Sequence, residues 1–192
     1  MRIFVAGASG VIGIRMLPLL ISDGHVVAGM TRSAEKSSAL EALGAEPVVG
    51  DVYDADALLA AVVGFAPDVL LHQLTDLPDD STRIPELAAR NNRMLRDGTS
   101  NLLAAARAAE ASRFLAQSVA WEIPDEGGVA YRDHERAVLD AGGVVIRYGQ
   151  LYGPDTYYPT TPPAPPRIEV GEAARRTVPL LDAPPGIVEL VE

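Results

Sequence analysis

Short apolar runs alternate with stretches of helical periodicity over the first 150 residues of the chain. Ile3-Phe4-Val5-Ala6 is an unbroken apolar run, the pattern of a strand buried on both faces. The same reading predicts strands at His25–Met30, Glu46–Val49, Asp68–His72, Phe114–Ser118 and Val144–Tyr148. Helices are predicted over Ile12–Ser22, with Pro18 as an internal irregularity, over Ala34–Leu43 and from Asp54-Ala55 through Val63. A long helix is expected from Pro85-Glu86 to near Ala111, and another over Tyr131–Ala141, closed by Gly142-Gly143. Ser33 is the expected N-cap of the second helix, with Lys36 at the capping-box position and Gly44 as its stop. A polar loop, Asp76 to Thr82, holds three aspartates and a proline. This alternation implies an α/β fold: a Rossmann-type, doubly wound parallel sheet with helices on both faces.

The pattern changes at Tyr152. Residues 152 to 167 contain six prolines, which predicts an extended loop of polyproline character. Glu169–Leu181 then reads as a short helix, and Gly186–Val191 alternates apolar and polar positions like an edge strand. The expected division is a main domain, 1–151, and a small C-terminal appendage, 152–192.

The first strand runs into Gly7-Ala8-Ser9-Gly10-Val11-Ile12-Gly13, directly before a helix. A pyrophosphate needs backbone amides aimed at it and no side chains in the way, and a helix N-terminus supplies both free N–H groups and a positive dipole end. In this reading Gly7 permits the turn, Gly10 lets backbone approach the ligand, and Gly13 lets helix meet strand. The main domain is therefore expected to bind a dinucleotide through this turn, Ser9, Val11 and Ile12 included. A glycine-rich turn without a ligand is the plain alternative.

The residues after the second strand discriminate between cofactors. An NAD site has Asp or Glu there for the ribose hydroxyls; this chain has Met30-Thr31-Arg32-Ser33. A guanidinium suits a 2′-phosphate, so NADP is the expected cofactor, with NAD as the alternative. Asp51, with Val52 beside it, follows the third strand and is placed to accept from the adenine amino group or to cap a turn.

Composition narrows the classes. With 16 basic and 26 acidic residues, the net charge of −10 argues against nucleic acid and anionic membranes as partners. There is no cysteine, which excludes disulfides, thiolate metal sites and cysteine nucleophiles. His25, His72 and His134 are too scattered to suggest a metal. No apolar stretch is long enough to span a bilayer and no signal-peptide pattern opens the chain, so a cytoplasmic protein is the expectation.

These motifs together resemble the extended and atypical short-chain dehydrogenase/reductase superfamily, the NAD(P)-dependent epimerase/dehydratase group. The glycine spacing, Gly50-Asp51, Asp97-Gly98-Thr99-Ser100-Asn101-Leu102-Leu103, Arg113-Phe114-Leu115-Ala116-Gln117-Ser118, Arg147-Tyr148-Gly149-Gln150-Leu151-Tyr152-Gly153-Pro154 and Ile168–Ala174 carry the resemblance. It implies a catalytic Tyr-x-x-x-Lys pair, in which lysine lowers the tyrosine pKa. The only lysine is Lys36, far from that position, and Tyr131-Arg132-Asp133-His134-Glu135 has glutamate in the lysine slot. Aligned backward from the sixth strand, Glu135 instead matches a later family glutamate, and the tyrosine position falls near Gly127. The resemblance also implies a larger substrate region than residues 152–192 provide.

The remaining candidates follow from position. Ser118 and Tyr131 are the candidate catalytic groups, for polarising or protonating a substrate oxygen, though each also reads as ordinary structure. A carboxylate at Glu135 is expected to push the Tyr131 phenol up by repulsion. His72 and Gln73 end the fourth strand, where ligands gather in open α/β sheets, and Gln117 ends the fifth; all three are candidate cofactor contacts. Tyr148 is a further cofactor candidate and, with Trp121 and Tyr152, a candidate apolar wall. Tyr157-Tyr158 in the proline-rich loop read as a lid or a partner-binding arm. The functional expectation is an NADP(H)-binding oxidoreductase or epimerase-like enzyme acting on a small molecule. The alternatives are a catalytically silent NADP(H) sensor or scaffold, and a shortened paralogue whose core a homodimer partner would complete.

Overall fold

The computed structural model describes residues 1–78 and 80–192; Asp79, one of the three aspartates of the polar loop, lies outside the described residues. The order is β1 (Arg2–Ala6), α1 (Gly13–Ser22), β2 (Val26–Thr31), α2 (Ser37–Ala42), β3 (Glu46–Val49), α3 (Ala55–Phe65), β4 (Val69–His72), α4 (Ile84–Arg93), α5 (Thr99–Ala108), β5 (Arg113–Val119), α6 (Asp125–Asp140), β6 (Val144–Tyr148), β7 (Gln150–Tyr152), β8 (Arg167–Glu169), α7 (Val170–Thr177) and β9 (Gly186–Leu190). Seven strands form one parallel sheet in the order β3-β2-β1-β4-β5-β6-β9. The chain runs outward from β1 to β3, then crosses back to β4 on the other side of β1. That reversal opens a crevice beyond the C-terminal ends of β1 and β4, where Ala6 is paired with Met30 on one side and His72 on the other.

Strand alternation divides the apolar residues between two cores. Ile3 and Val5 face α1, α2 and α7, in a cluster with Leu17, Leu20, Leu40, Val170 and Leu181. Phe4 and Ala6 face the opposite layer, with Leu58, Val62, Met94, Leu102 and Val138. Both layers are closed to water, so each fully buried large side chain contributes roughly 1.5–3 kcal/mol relative to exposure.

Several elements differ from their sequence-based expectation. The second helix opens with a 3-10 turn, Ala34–Lys36, and the Ser33 side chain makes no capping bond. The long helix is interrupted by a π-helical turn, Met94–Gly98, between α4 and α5. Helix α6 begins at Asp125, six residues before the expected start at Tyr131. Its first turns include Gly127-Gly128, and a Cβ on Gly128 would lie 2.1 Å from the Ile123 carbonyl oxygen. Glycine there lets the helix start fold back on its own lead-in. At the C-terminus, α7 and a 3-10 turn, Val178–Asp182, lead to β9, which pairs parallel with β6 and joins the main sheet. The proline-rich segment is closed at its base by the β7–β8 ladder.

Candidate functional site

The glycine turn sits at the crevice between β1 and α1. Gly7 has φ +92°, and a Cβ there would lie 2.7 Å from the Gln73 backbone. A Cβ on Gly13 would lie 2.3 Å from the Gly7 carbonyl oxygen, so this residue is where helix and turn touch. Gly10 is different. It is exposed, and an added Cβ would meet only the Gly7 oxygen, at 3.2 Å. The turn is thus tight on its protein side and open at Gly10. The N-cap, Ile12, offers no side chain to the first helical N–H groups, an arrangement that fits an anionic ligand. Val11 is partly exposed, while Ile12 faces the core.

Around the turn, the Ser9 and Thr31 hydroxyls are 2.9 Å apart, tying it to the end of β2. Thr31 also accepts from the Ser33 N–H, at 3.2 Å. Arg32 follows directly. Its guanidinium donates to Asp76 Oδ1 at 3.3 Å and stays 45% exposed. Arg90, from α4, holds the same carboxylate through Nη2 at 2.7 Å and Nε at 3.3 Å. The Asp76 N–H donates to Asn91 Oδ1 at 3.0 Å. Asp51 is exposed and accepts from the Tyr53 N–H at 2.9 Å, the turn-capping role. Val52 is buried, and its carbonyl accepts from Asn101. Arg93 lies over the Tyr53 ring, 3.9 Å from its centroid. Burial pushes the Tyr53 phenol up, with Asp76 adding to the shift and Arg93 and Arg32 opposing it.

Five candidates, His72, Gln73, Gln117, Ser118 and Tyr148, are buried and bonded to other groups of the fold rather than exposed at the cleft. His72 is fully buried: Nδ1 accepts from the Leu74 N–H at 3.2 Å and Nε2 meets Thr99 Oγ1 at 3.1 Å. Thr99 in turn reaches His134 Nδ1 at 2.7 Å, and His134 Nε2 donates to the Gln117 carbonyl at 2.9 Å. The bond from the Leu74 N–H requires a neutral His72 ring, and a neutral His134 that accepts from Thr99 and donates to Gln117 completes the relay. Burial depresses both histidines, His72 well below its ordinary range. Tyr148 points into the other core. Its hydroxyl meets Thr177 at 2.6 Å and accepts from Gln73 at 3.4 Å, and burial pushes its pKa up to about 12. Gln73 and Gln117 are buried as well, with the Gln117 amide donating to the Leu74 carbonyl at 3.3 Å. Ser118 is buried and donates to Glu135 Oε1 at 2.6 Å.

Tyr131 does reach a cleft. Beyond the end of β5 an open hollow of about 500 Å³ is lined by Trp121, Ile123, Tyr131, Arg132, Glu135 and Arg147, among others. Neither Tyr148 nor Tyr152 joins Trp121 there; the Tyr152 hydroxyl is bonded to Glu192. Burial raises the Tyr131 phenol, and a hydrogen bond from the Asn91 amide, at 3.4 Å, opposes the shift. The direction is the expected one, but the cause is burial rather than Glu135. That carboxylate is bound by Arg147 through Nε at 2.9 Å and Nη2 at 2.6 Å. Burial would raise Glu135, but the Arg147 and Ser118 hydrogen bonds and the guanidinium charge hold it lower than usual.

The sequence reading missed Asp76, Arg90 and Asn91. Its signal was an aspartate-rich loop followed by the arginine-rich helix face of Arg83, Arg90 and Arg93. The proline-rich segment is tied down at two places: Arg15 of α1 donates to the Pro154 carbonyl and to Asp155, both at 2.8 Å, and the Tyr157 hydroxyl donates to the Pro78 carbonyl beyond β4.

A doubly wound parallel sheet, with a glycine turn opening α1 at its switch point, defines a Rossmann-type nucleotide-binding fold. The chain belongs to the NAD(P)H-binding family, whose sequence profile matches residues 7–141. It is 37% identical over 182 residues to a 3-diazoavenalumate denitrifying reductase of a Streptomyces species, across 82% of this chain and 59% of that protein. It is 34% identical over 115 residues to a 4-hydroxy-2-methyl-3-oxo-4-farnesyl-3,4-dihydroquinoline-1-oxide ketoreductase of Stigmatella aurantiaca, across 60% of this chain and 32% of the ketoreductase. The chain therefore spans less than two thirds of these curated relatives. Among solved structures, the fold matches Thermus thermophilus UDP-glucose 4-epimerase in complex with NAD at TM-score 0.83 and 19% identity, over 100% of this chain and 78% of the epimerase. The Bordetella bronchiseptica enzyme WbmH, in complex with NAD+, matches at TM-score 0.79 and 17% identity, over 100% and 75%. No helix among the described residues is long and apolar enough to cross a membrane.

Proposed function

We propose that the protein is an NADP(H)-dependent oxidoreductase that reduces a small organic molecule in the cytoplasm. The observation that carries the NADP(H) reading is Arg32, half-exposed directly after β2 and joined to the glycine turn through Thr31 and Ser9. The nicotinamide, when bound, supplies the hydride. The chain's own part is to hold and orient. The Gly7–Gly13 turn receives the pyrophosphate, Arg32 meets the 2′-phosphate, and Asp51 keeps an oxygen for the adenine edge. Tyr131, at the rim of the cleft, hands its proton to the substrate oxygen. Kinship with a protein named as a reductase supports the reducing direction. So does the raised phenol, which stays protonated at neutral pH and so has a proton to give.

Calorimetric titration with NADPH and NADH tests the reading. NADPH should bind more tightly, and Arg32→Glu should reverse the order by about 1–3 kcal/mol through loss of a charge-assisted contact. Equal affinities in the wild type would remove the basis for the NADP(H) assignment.

One arrangement favours a second reading, a silent NADP(H) sensor. Ser118, Glu135 and Arg147 satisfy one another, and the chain's one lysine, Lys36, lies in the turn before α2. Cofactor binding without turnover across a carbonyl panel would support it.

A further inference from the structure

We propose that Arg90 is a second cofactor-specificity residue, which closes with Arg32 a two-guanidinium pocket for the 2′-phosphate of NADP(H). The inference rests on the reading that Arg32 meets that phosphate. Arg32 comes from the end of β2 and Arg90 from α4, 58 residues further on, yet both Nη2 atoms reach one oxygen, Asp76 Oδ1, at 3.3 and 2.7 Å. Two cations converging on one anion from separate elements mark a place built for negative charge.

Asp76 fixes this convergence. Its side chain is 8% exposed, and its N–H is held by Asn91. The guanidiniums lie outside it, 45% and 53% exposed, so their outer N–H groups face solvent. Two positive charges against one negative leave a local excess of one, in a protein whose net charge is −10. Arg90 uses Nε and Nη2 on the carboxylate, which orients the fork and leaves Nη1 without a partner among the described residues. A phosphate dianion has three terminal oxygens and takes donors from both arginines. A bare ribose hydroxyl has no such requirement. Arg93, stacked on Tyr53, walls the same corner, where the charges of Arg32 and Asp76 are both felt at the phenol.

The competing role for Arg90 is a brace that merely holds the loop after β4. Titration of the full chain with adenosine 2′,5′-bisphosphate and with 5′-AMP separates the two. The wild type is expected to prefer the bisphosphate by about tenfold or more, the size of one charge-assisted contact. Arg90→Gln should lose most of that ratio while 5′-AMP affinity stays within about twofold. Arg90→Lys, which keeps the charge but not the fork, should fall between the two. Thermal melts of each variant establish that it is folded. If Arg90→Gln keeps the wild-type ratio while Arg32→Gln abolishes it, Arg90 is a brace and the inference fails, with the NADP(H) reading intact. An equal loss of both ligands in Arg90→Gln leads to the same conclusion. A wild type that does not distinguish the two ligands overturns the underlying reading and this inference together.

Discussion

Glu135 and Arg147 form a two-armed ion pair, Nε to Oε1 and Nη2 to Oε2, that locks α6 onto the end of β6. The Ser118 hydroxyl completes the carboxylate's shell from β5. Removing the cation leaves a buried carboxylate without its counterion. Arg147→Ala should therefore cost about 3 kcal/mol, the low end for a buried pair, because 32% of the Arg147 side chain already meets water. Urea unfolding measures this. A loss under about 1 kcal/mol would place the pair with ordinary surface salt bridges.

The relay from His72 through Thr99 to His134 makes a pH prediction. Both histidines are held neutral and their folded pKa values lie below the unfolded 6.5, so the unfolded chain binds more protons between those values. Their contribution is fully present above pH 6.5 and falls as pH drops toward the folded values, by up to about 1.4 kcal/mol per pH unit for each ring. Glu135 acts lower, below its ordinary 4.5, because its depressed carboxyl loses its contribution only as it protonates in the fold. Denaturant midpoints from pH 8 to 5 should decline. In Thr99→Val, which strands ring nitrogens on both sides, stability at pH 7.5 should drop by about 1–3 kcal/mol or more.

Gly10 and Gly13 of the turn should behave differently. Gly10→Val puts a branched side chain where the pyrophosphate would lie, and only one backbone atom of the protein comes near the added Cβ. Cofactor binding should vanish with little change in melting temperature. Gly13→Ala meets backbone at 2.3 Å and should destabilise the fold by about 2–4 kcal/mol, visible with no cofactor present. A Gly10→Val protein that binds normally would move the ligand elsewhere.

For catalysis, the expected outcome is weak turnover, easier to detect as NADPH-dependent reduction than as alcohol oxidation. Tyr131→Phe should lower kcat by about 10²–10⁴-fold, the usual worth of a positioned proton donor, with the substrate KM little changed. Ser118→Ala should act on stability instead, because its hydroxyl faces Glu135 and not the cleft. Robust oxidation at pH 7 that disappears in Tyr131→Phe would show an activated phenolate that burial argues against.

Strands β3 and β6 coincide with their sequence-based bounds, because each is a compact β-type run bordered by glycine. The glycine turn was legible for the same local reason: its chemistry lies within seven residues. What escaped was non-local. His72 meets Thr99 27 residues away, and Tyr148 meets Thr177 29 residues away, so strand-end position alone suggested cleft residues where packing had turned them inward. Helix α6 starts six residues before its expected start at Tyr131, and its first turns include Gly127-Gly128, where glycine is a close-contact device in the fold. Asp76 belonged to a loop that looked merely polar until Arg32 and Arg90 met on it.

The proline-rich segment is moored to α1 through Arg15 and to the loop beyond β4 through Tyr157. The contacts join separate parts of the fold through one segment. Such a tether governs traffic more than affinity. Loosening it with Arg15→Ala and Tyr157→Phe should quicken arrival and departure alike while leaving Kd nearly unchanged, a signature that stopped-flow fluorescence can resolve. The segment would then act on how fast a bound cofactor exchanges rather than on how tightly it is held.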